Sequence, residues 1–139
     1  MKVRLTREQK IKIANSEDVF AIMLAVLKRE NRLGRRKEHF WVIGISPSHV
    51  IEFIELISLG TIDATIVKPL DVFHLAAAKN TPKIILVHNH PSGNLQASEE
   101  DIRLTQRLKE GARLLDIDIV DHLVISEEGY SSFLIQKWL

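Results

Sequence analysis

The chain has 139 residues, a length that suits one domain with its own hydrophobic core. Its formal net charge of +1 gives no overall case for nucleic-acid binding. It contains no cysteine, which excludes disulfides, thiolate metal sites and cysteine nucleophiles. No apolar stretch is long enough to span a bilayer and no signal-peptide core opens the chain, so we expect no membrane association and a cytoplasmic location.

The start of the chain predicts a basic N-terminal arm, residues 1–14, ahead of a single domain over residues 15–139. Asn15 or Ser16 can cap a first helix. Its apolar residues recur at helical spacing at Val19, Ile22, Met23, Val26 and Leu27. Gly34 fits the end of this helix.

A basic cluster follows the first helix and consists of Lys28, Arg29, Arg32, Arg35, Arg36 and Lys37. Runs of charge are usually solvated helix ends and loops. A surface that binds a polyanion or an acidic partner is the alternative. Nucleic acid therefore stays open as a partner of this cluster alone.

The remaining chain alternates predicted strands with predicted helices. Apolar and β-branched runs predict strands at 40–45, 50–59, 61–67, 83–88 and 117–125, and a short one from Tyr130 that leads into a C-terminal tail. Glu52 and Glu55 interrupt 50–59 at a spacing of three, so the strand there rests on β-branched content. Pro69 suits the first turn of a second helix, to about Asn80, and Ser98 begins a third. The alternation predicts an α/β or α+β sandwich.

Two histidines, His88 and His90, stand two residues apart at the end of a short apolar strand. Residues i and i+2 of an extended segment point to the same side, so both rings can face one ion. Asn89 then points away and can brace the loop. Asp101, in the first turn of the next helix, adds a carboxylate. Two imidazoles and a carboxylate are a sufficient ligand set for a catalytic zinc that keeps an open position.

Simpler interpretations compete with a metal site. The segment from Ser98 to Asp101 resembles a capping box, which begins a helix and needs no metal. Taken alone, His88 and His90 also fit an ordinary surface pair. The two features within one strand–loop–helix unit favour the metal. The tripeptide His-Asn-His is not the dispersed nuclease motif of that name, and the His-Glu-x-x-His string of other zinc proteases is absent.

The spacing of these residues is that of the JAMM motif of the JAB/MPN zinc metalloproteases: His88-x-His90, seven residues, Ser98, two residues, Asp101. The flanking sequence resembles one bacterial branch of that family, the RadC proteins. The matching stretches are Ile-Ile-Leu-Val-His-Asn-His-Pro-Ser-Gly at 84–93, Gly-Thr-Ile-Asp at 60–63, and Asp121-His122. The resemblance covers roughly residues 35–139.

The resemblance implies a β-sheet sandwiched between helices, related to the cytidine deaminase architecture. It implies that His88, His90 and Asp101 bind one zinc ion per chain, and that Ser98 hydrogen-bonds the developing oxyanion. The family's upstream glutamate, the general base, matches Glu38, with Glu52 and Glu55 as the alternatives. His122 can orient a ligand through a hydrogen bond or be an ordinary strand histidine.

The implied activity is zinc-dependent hydrolysis of an amide bond, peptide or isopeptide, in a peptide or protein substrate. The alternative is a non-catalytic metal-binding or DNA-repair-associated interaction module on the same fold. Such members of the family have usually lost motif residues, whereas this chain has all of them. RadC proteins also carry an N-terminal helix-hairpin-helix region, and the short segment ahead of the catalytic part here shows no obvious glycine-containing hairpin between two helices, which leaves DNA binding with less support. We expect His39, His49 and His74 at the surface or in packing, and the sequence does not indicate the oligomeric state.

Overall fold

The computed structural model describes residues 1–5, 12–63 and 65–139, and one mixed β-sheet lies at its centre. The helices are α1 (Ser16–Leu27), α2 (Pro69–Ala78), α3 (Glu99–Leu114) and α4 (Phe133–Gln136). The strands are β1 (His39–Ile45), β2 (Ile51–Leu59), β3 (Lys83–Asn89), β4 (Asp118–Ser126) and β5 (Gly129–Ser132), and a 3₁₀ turn covers Gly34–Arg36. No helix among the described residues is long and apolar enough to cross a membrane.

The five strands lie in the order β2-β1-β3-β4-β5. β1 pairs antiparallel with β2 and β3, β3 pairs parallel with β4, and β4 pairs antiparallel with β5. A parallel pair needs a long crossover, and α3 supplies it between β3 and β4. The end of β3 and the start of α3 are therefore close in the chain and lie at the same end of the sheet, where β3 finishes.

Helices cover both faces of the sheet, as successive residues of β3 show. Ile84 and Leu86 belong to the core that α2 and α3 complete, whereas Ile85 and Val87 belong to the core that α1 completes. A strand buried on both faces explains the unbroken apolar run that leads to His88. The predicted α/β sandwich is confirmed.

The predicted strand at 50–59 is confirmed as β2, and its irregular pattern has a structural cause. The register passes from Gly44–Phe53 to Ile45–Ile51 and skips Glu52. One extra residue of this kind is a β-bulge, which breaks the alternation of faces. The bulge accounts for the spacing of three between Glu52 and Glu55.

The predicted strand at 61–67 is wrong. The Asp63 carboxylate accepts hydrogen bonds from the backbone amides of Thr65 at 2.8 Å and Ile66 at 3.0 Å. The Thr65 hydroxyl also donates to this carboxylate at 2.6 Å, and this bond, followed by those from the two amides, holds the pKa of Asp63 below its ordinary value. Side chains of this type compete with the sheet for backbone donors, so the described residues of this segment form a turn.

Two helix boundaries also differ from the prediction. The first helix ends at Leu27 rather than near Gly34, which instead opens the 3₁₀ turn and donates its amide to Asn31 Oδ1 at 2.8 Å. The predicted C-terminal tail contains α4, because Ser132 Oγ accepts from the Ile135 amide at 3.2 Å and caps that turn.

The N-terminal segment contacts β2 and the turn before it where the structure describes it. Val3 donates its amide to the Ile54 carbonyl at 2.7 Å, and Ile13 donates to that of His49 at 2.8 Å. Asn15, one of the two predicted caps, begins α1 by accepting from the Asp18 amide. The division into an arm over 1–14 and a domain over 15–139 stays a prediction.

Candidate metal centre

The end of β3 brings His88 and His90 to one point. β3 ends at Asn89, and the Gly93 amide then donates to the His90 carbonyl at 3.0 Å in a tight turn. Gly93 has a φ of 86°, a left-handed conformation that favours glycine. The turn places the Asn94 carbonyl 2.6 Å from His90 Nδ1. A carbonyl only accepts, so Nδ1 carries the proton of the neutral His90 ring and leaves Nε2 free.

The start of α3 supplies the carboxylate. Ser98 Oγ accepts from the Asp101 amide at 3.0 Å, and Asp101 Oδ2 accepts from the Ser98 amide at 2.9 Å. The predicted capping box is therefore present. It fixes the Asp101 rotamer so that Oδ2 also faces the two histidines. Capping and metal binding use the same carboxylate without conflict, since an ionised oxygen accepts from more than one side.

Three potential ligand atoms meet at this point: His88 Nε2, His90 Nε2 and Asp101 Oδ2. The two nitrogens are 3.0 Å apart, and the oxygen lies 3.1 Å from His90 Nε2 and 3.3 Å from His88 Nε2. Tetrahedral zinc with bonds of about 2.0–2.1 Å separates its ligand atoms by about 3.3–3.4 Å. The triangle thus fits a zinc ion within a few tenths of an ångström, and the three residues form a group that could hold a metal.

The site is buried on one side and open on the other. The exposed fraction of the side chain is 1% for His88, 6% for Asp101 and 16% for His90. His90 and Asp101 border an open cleft of about 610 Å³ that Glu38, Ser98 and Arg36 also line. A fourth ligand or a substrate can therefore reach the metal centre from the His90 side.

The electrostatics of the site favour a bound cation. Burial raises the pKa of the Asp101 carboxyl, but the His88 and His90 rings, which donate hydrogen bonds to it in their protonated state, outweigh burial and hold that pKa well below its usual range. The hydrogen bond to Asp101 raises the pKa of His90, against the effect of burial. Asp101 is thus ionised, as a carboxylate that binds a metal must be, and its negative charge favours a cation beside the two histidine rings.

His88 contacts a second buried histidine on β4. His88 Nδ1 is 2.7 Å from His122 Nε2, and His122 Nδ1 is 2.7 Å from Thr105 Oγ1. Burial holds the pKa of His122 well below its ordinary value, with the charge of His88 acting in the same direction. His122 is therefore neutral. Of the two interpretations of this residue from the sequence, its position fits the one in which a hydrogen bond with His122 orients a ligand, here His88.

The structure places Glu38 beside the metal centre and its two competitors elsewhere. Phe40 pairs with His88 across β1 and β3, and Glu38, two residues before Phe40, borders the same cleft as His90. The charge of Glu38 contributes to the raised pKa of His90. Glu55 instead lies 2.7 Å from His74, and Glu52 accepts from Thr81 at 2.8 Å. Neither of these carboxylates is among the residues that border the cleft.

Ser98 lies at the cleft with its hydroxyl proton available. Its oxygen accepts from the Asp101 amide in the cap, which uses a lone pair and not the proton. Among the described residues the Ser98 hydroxyl donates to no protein acceptor, and Ser98 is exposed. Helix capping and donation to a substrate oxygen are compatible at this position.

The basic cluster and the other histidines do not belong to the group of three candidate ligands. Arg35 forms an ion pair with Glu127 at 2.7 Å, and Arg36 borders the cleft. His39 is buried against Trp41, as a packing residue, whereas His49 approaches Lys83 at 3.4 Å. Nucleic-acid binding by the basic cluster stays a prediction.

The sequence did not predict two groups that hydrogen-bond to histidines of the site, the Thr105 hydroxyl and the Asn94 carbonyl. Thr105 reads as part of the apolar side of α3, and only its i+4 spacing from Asp101 signals a shared face. Asn94 acts through its carbonyl, for which the sequence has no signal. Asn89 was expected to brace the loop, but its side chain contacts the backbone of Lys37 and His39 instead.

Comparison with known proteins agrees with this geometry. A UPF0758 protein of Methanosarcina acetivorans is 38% identical over 125 residues, 90% of this chain and 52% of its own. UPF0758 proteins of Alkaliphilus metalliredigens (44% over 97 residues, 70% of this chain and 42% of its own) and Pelodictyon phaeoclathratiforme (35% over 132 residues, 95% and 57%) are also similar. The chain spans about half the length of these relatives. The profile of the RadC-like JAB domain matches residues 13–138, and the chain belongs to that family.

Proposed function

We propose that this protein is a zinc-dependent hydrolase of amide bonds, peptide or isopeptide, in peptide or protein substrates. One observation carries the proposal: three ligand atoms from His88, His90 and Asp101 form a triangle with edges of 3.0–3.3 Å at the wall of an open cleft. A set of three protein ligands with an accessible fourth side is typical of catalytic rather than structural zinc. Since the chain spans only about half the length of these relatives, this proposal concerns the domain and extends to the whole protein only by inference.

A zinc ion at this point would supply a Lewis acid that makes water nucleophilic near neutral pH. Glu38 is the proposed general base, because it borders the same cleft as His90 and Asp101 and its charge acts on His90. It takes a proton from the attacking water and returns it to the leaving amine. Proton transfer of this kind contributes about 10²–10⁴-fold to the rate.

Ser98 is the proposed oxyanion donor. Its hydroxyl proton is not consumed by the helix cap, and the residue is exposed at the cleft. As the substrate carbonyl becomes tetrahedral, its oxygen gains charge that this hydroxyl can stabilise. Because α3 holds Ser98 in a fixed rotamer through the capping box, the donor needs little reorganisation.

The test measures zinc content and amide cleavage in the same preparations. We expect about one zinc per chain in the wild type and in Glu38→Gln, and little in Asp101→Asn, whose amide is a poor zinc ligand. Cleavage of a peptide library should fall at least about 100-fold in Glu38→Gln. Glu52→Gln is the matched control, since it removes a carboxylate outside the cleft and should leave cleavage unchanged.

Two results would contradict the proposal. Equal zinc content in the wild type and in Asp101→Asn would contradict the proposed metal centre. Full zinc loading without any cleavage dependent on Glu38 would instead favour the non-catalytic metal-binding module on the same fold. DNA affinity that falls steeply with salt would add the basic cluster as a separate, nucleic-acid-binding function.

A further inference from the structure

We propose that the Thr105 hydroxyl determines, through His122, which nitrogen of His88 carries a proton, and so keeps His88 Nε2 free for the metal. Thr105 and His122 are then positioning residues. The inference rests on the metal-binding half of the proposed function and does not require amide cleavage.

The first step concerns the hydroxyl of Thr105. Thr105 Oγ1 lies 2.8 Å from the Asp101 carbonyl oxygen and 2.7 Å from His122 Nδ1. A carbonyl oxygen can only accept, so the single hydroxyl proton is donated to Asp101. The hydroxyl oxygen must then accept from His122, and His122 Nδ1 carries the proton.

The second step passes this choice to His88. His122 is fully buried, and its two hydrogen-bond partners are a hydroxyl and an imidazole, so it holds one proton and not two. With that proton on Nδ1, His122 Nε2 is an acceptor, and it lies 2.7 Å from His88 Nδ1. His88 Nδ1 therefore donates, which leaves a lone pair on His88 Nε2.

The free lone pair points to the metal centre. His88 Nε2 lies 3.0 Å from His90 Nε2 and 3.3 Å from Asp101 Oδ2. The relay consequently begins at the Asp101 carbonyl and ends beside the Asp101 carboxylate. One turn of α3, through the i,i+4 pair Asp101 and Thr105, supplies both a ligand and the group that fixes another ligand's tautomer.

Burial makes the Thr105 hydroxyl hard to replace. The exposed fraction is 1% for Thr105, 0% for His122 and 1% for His88, so bulk water does not reach the gap. The tautomer of His90 is set separately by the Asn94 carbonyl at 2.6 Å. Loss of the Thr105 hydroxyl should thus affect His88 and His122 while it leaves His90 unchanged.

The test compares Thr105→Val, which removes the hydroxyl at nearly constant volume, with Thr105→Ser, which keeps it. In metal-free protein, imidazole ¹⁵N–¹H correlation spectra should show His88 and His122 protonated at Nδ1 in the wild type and Thr105→Ser. Thr105→Val should show a population protonated at Nε2 on both rings, since His122 loses the acceptor for Nδ1. His90 should keep its Nδ1 proton in all three proteins.

Zinc affinity, measured by competition with a chelator, gives the second readout. Thr105→Val should bind zinc about 10- to 100-fold more weakly than the wild type, and Thr105→Ser should stay within about twofold. Should Thr105→Val fail to fold, Thr105→Ala removes the same hydroxyl with less crowding. Wild-type His122 protonated at Nε2, or equal zinc affinity in the valine and serine variants, would overturn the inference. A wild type that binds no zinc would refute the proposed function. The imidazole spectra would still test whether Thr105 determines the tautomers of His122 and His88.

Discussion

The Asn89 side chain holds the backbone of His39 by a hydrogen bond of 2.6 Å from the His39 amide to Asn89 Oδ1. The same carboxamide donates through Nδ2 to the Lys37 carbonyl at 3.1 Å. The two contacts bracket Glu38, while Asn89 itself stands between His88 and His90. One buried carboxamide therefore sets the proposed base against two of the proposed metal ligands.

Replacement of Asn89 by alanine should separate catalysis from metal binding. We expect cleavage to fall about 10-fold or more, because displacement of a catalytic group by about 1 Å is costly. The zinc content should not change, since no ligand atom is removed. The free energy of unfolding should fall by about 2 kcal/mol for two lost hydrogen bonds.

Thr81→Val is the matched control for Asn89→Ala. It removes a buried hydroxyl that donates to Glu52 at 2.8 Å, outside the cleft. This variant should lose stability but retain cleavage. An Asn89→Ala protein that cleaves at the wild-type rate would show that Glu38 needs no such brace.

Ser98 has two roles that substitution can separate. Ser98→Ala should lose about 1 kcal/mol of stability, because alanine is a poor N-cap, whereas Ser98→Gly should lose only a few tenths. Both variants lack the hydroxyl, so cleavage should fall about 10²–10³-fold in each. Denaturant unfolding and steady-state kinetics measure the two effects. If the rate followed stability and Ser98→Gly stayed active, the oxyanion role would be excluded.

Zinc affinity should depend on pH through His90. The hydrogen bond to Asp101 raises the pKa of His90 above its ordinary value of 6.5, so the metal-free ring is protonated below that raised pKa. Zinc must displace this proton, and affinity should fall by about tenfold per pH unit below the raised pKa and level off above it. Competition with a chelator of known pH dependence measures the slope. Constant affinity between pH 8 and 5 would contradict the assignment of His90 as a ligand.

Metal removal should lower stability. Zinc that binds only the folded chain raises the free energy of unfolding by about 2.7 kcal/mol at a free concentration 100 times its Kd. Urea unfolding with zinc and with a chelator measures the difference. Mg²⁺ should give no comparable shift, because it disfavours imidazole ligands. Asp101→Asn should abolish the zinc effect, and a variant that kept it would place the metal elsewhere.

The grouping of the candidate ligands could be predicted from the sequence because the physics that places these residues is local. His88 and His90 share a side of one extended segment, and the capping box that Ser98 and Asp101 form is a contact within one turn. The burial of β3 follows from its unbroken apolar run. Glu38 was predicted as the general base from the family resemblance and not from its spacing, because only the pairing of β1 with β3 brings it near the candidate ligands.

The remaining features depend on contacts that no local pattern encodes. The link from Thr105 to His122 joins α3 to β4, and its residues read separately as a helix side chain and a strand histidine. At 61–67, β-branched residues predicted a strand, but the Asp63 side chain took the backbone donors that a strand needs. Such competition is decided by one carboxylate rotamer, which the residue types alone do not determine.

The antiparallel register of β1 and β3 has a consequence for the fidelity of the site. Neighbouring residues of a strand face opposite ways, so a slip of one position would turn Glu38 away from His90. A slip of two would restore its direction but move it about 6.5–7 Å along the strand. Gly44 fixes the register of β1 against its other neighbour, β2, because a Cβ at that position would overlap the Phe53 ring, so only a glycine fits there. Packing thus fixes β1 on its β2 side, whereas the alignment of the proposed base with the candidate ligands depends on the hydrogen-bonded pairing of β1 with β3.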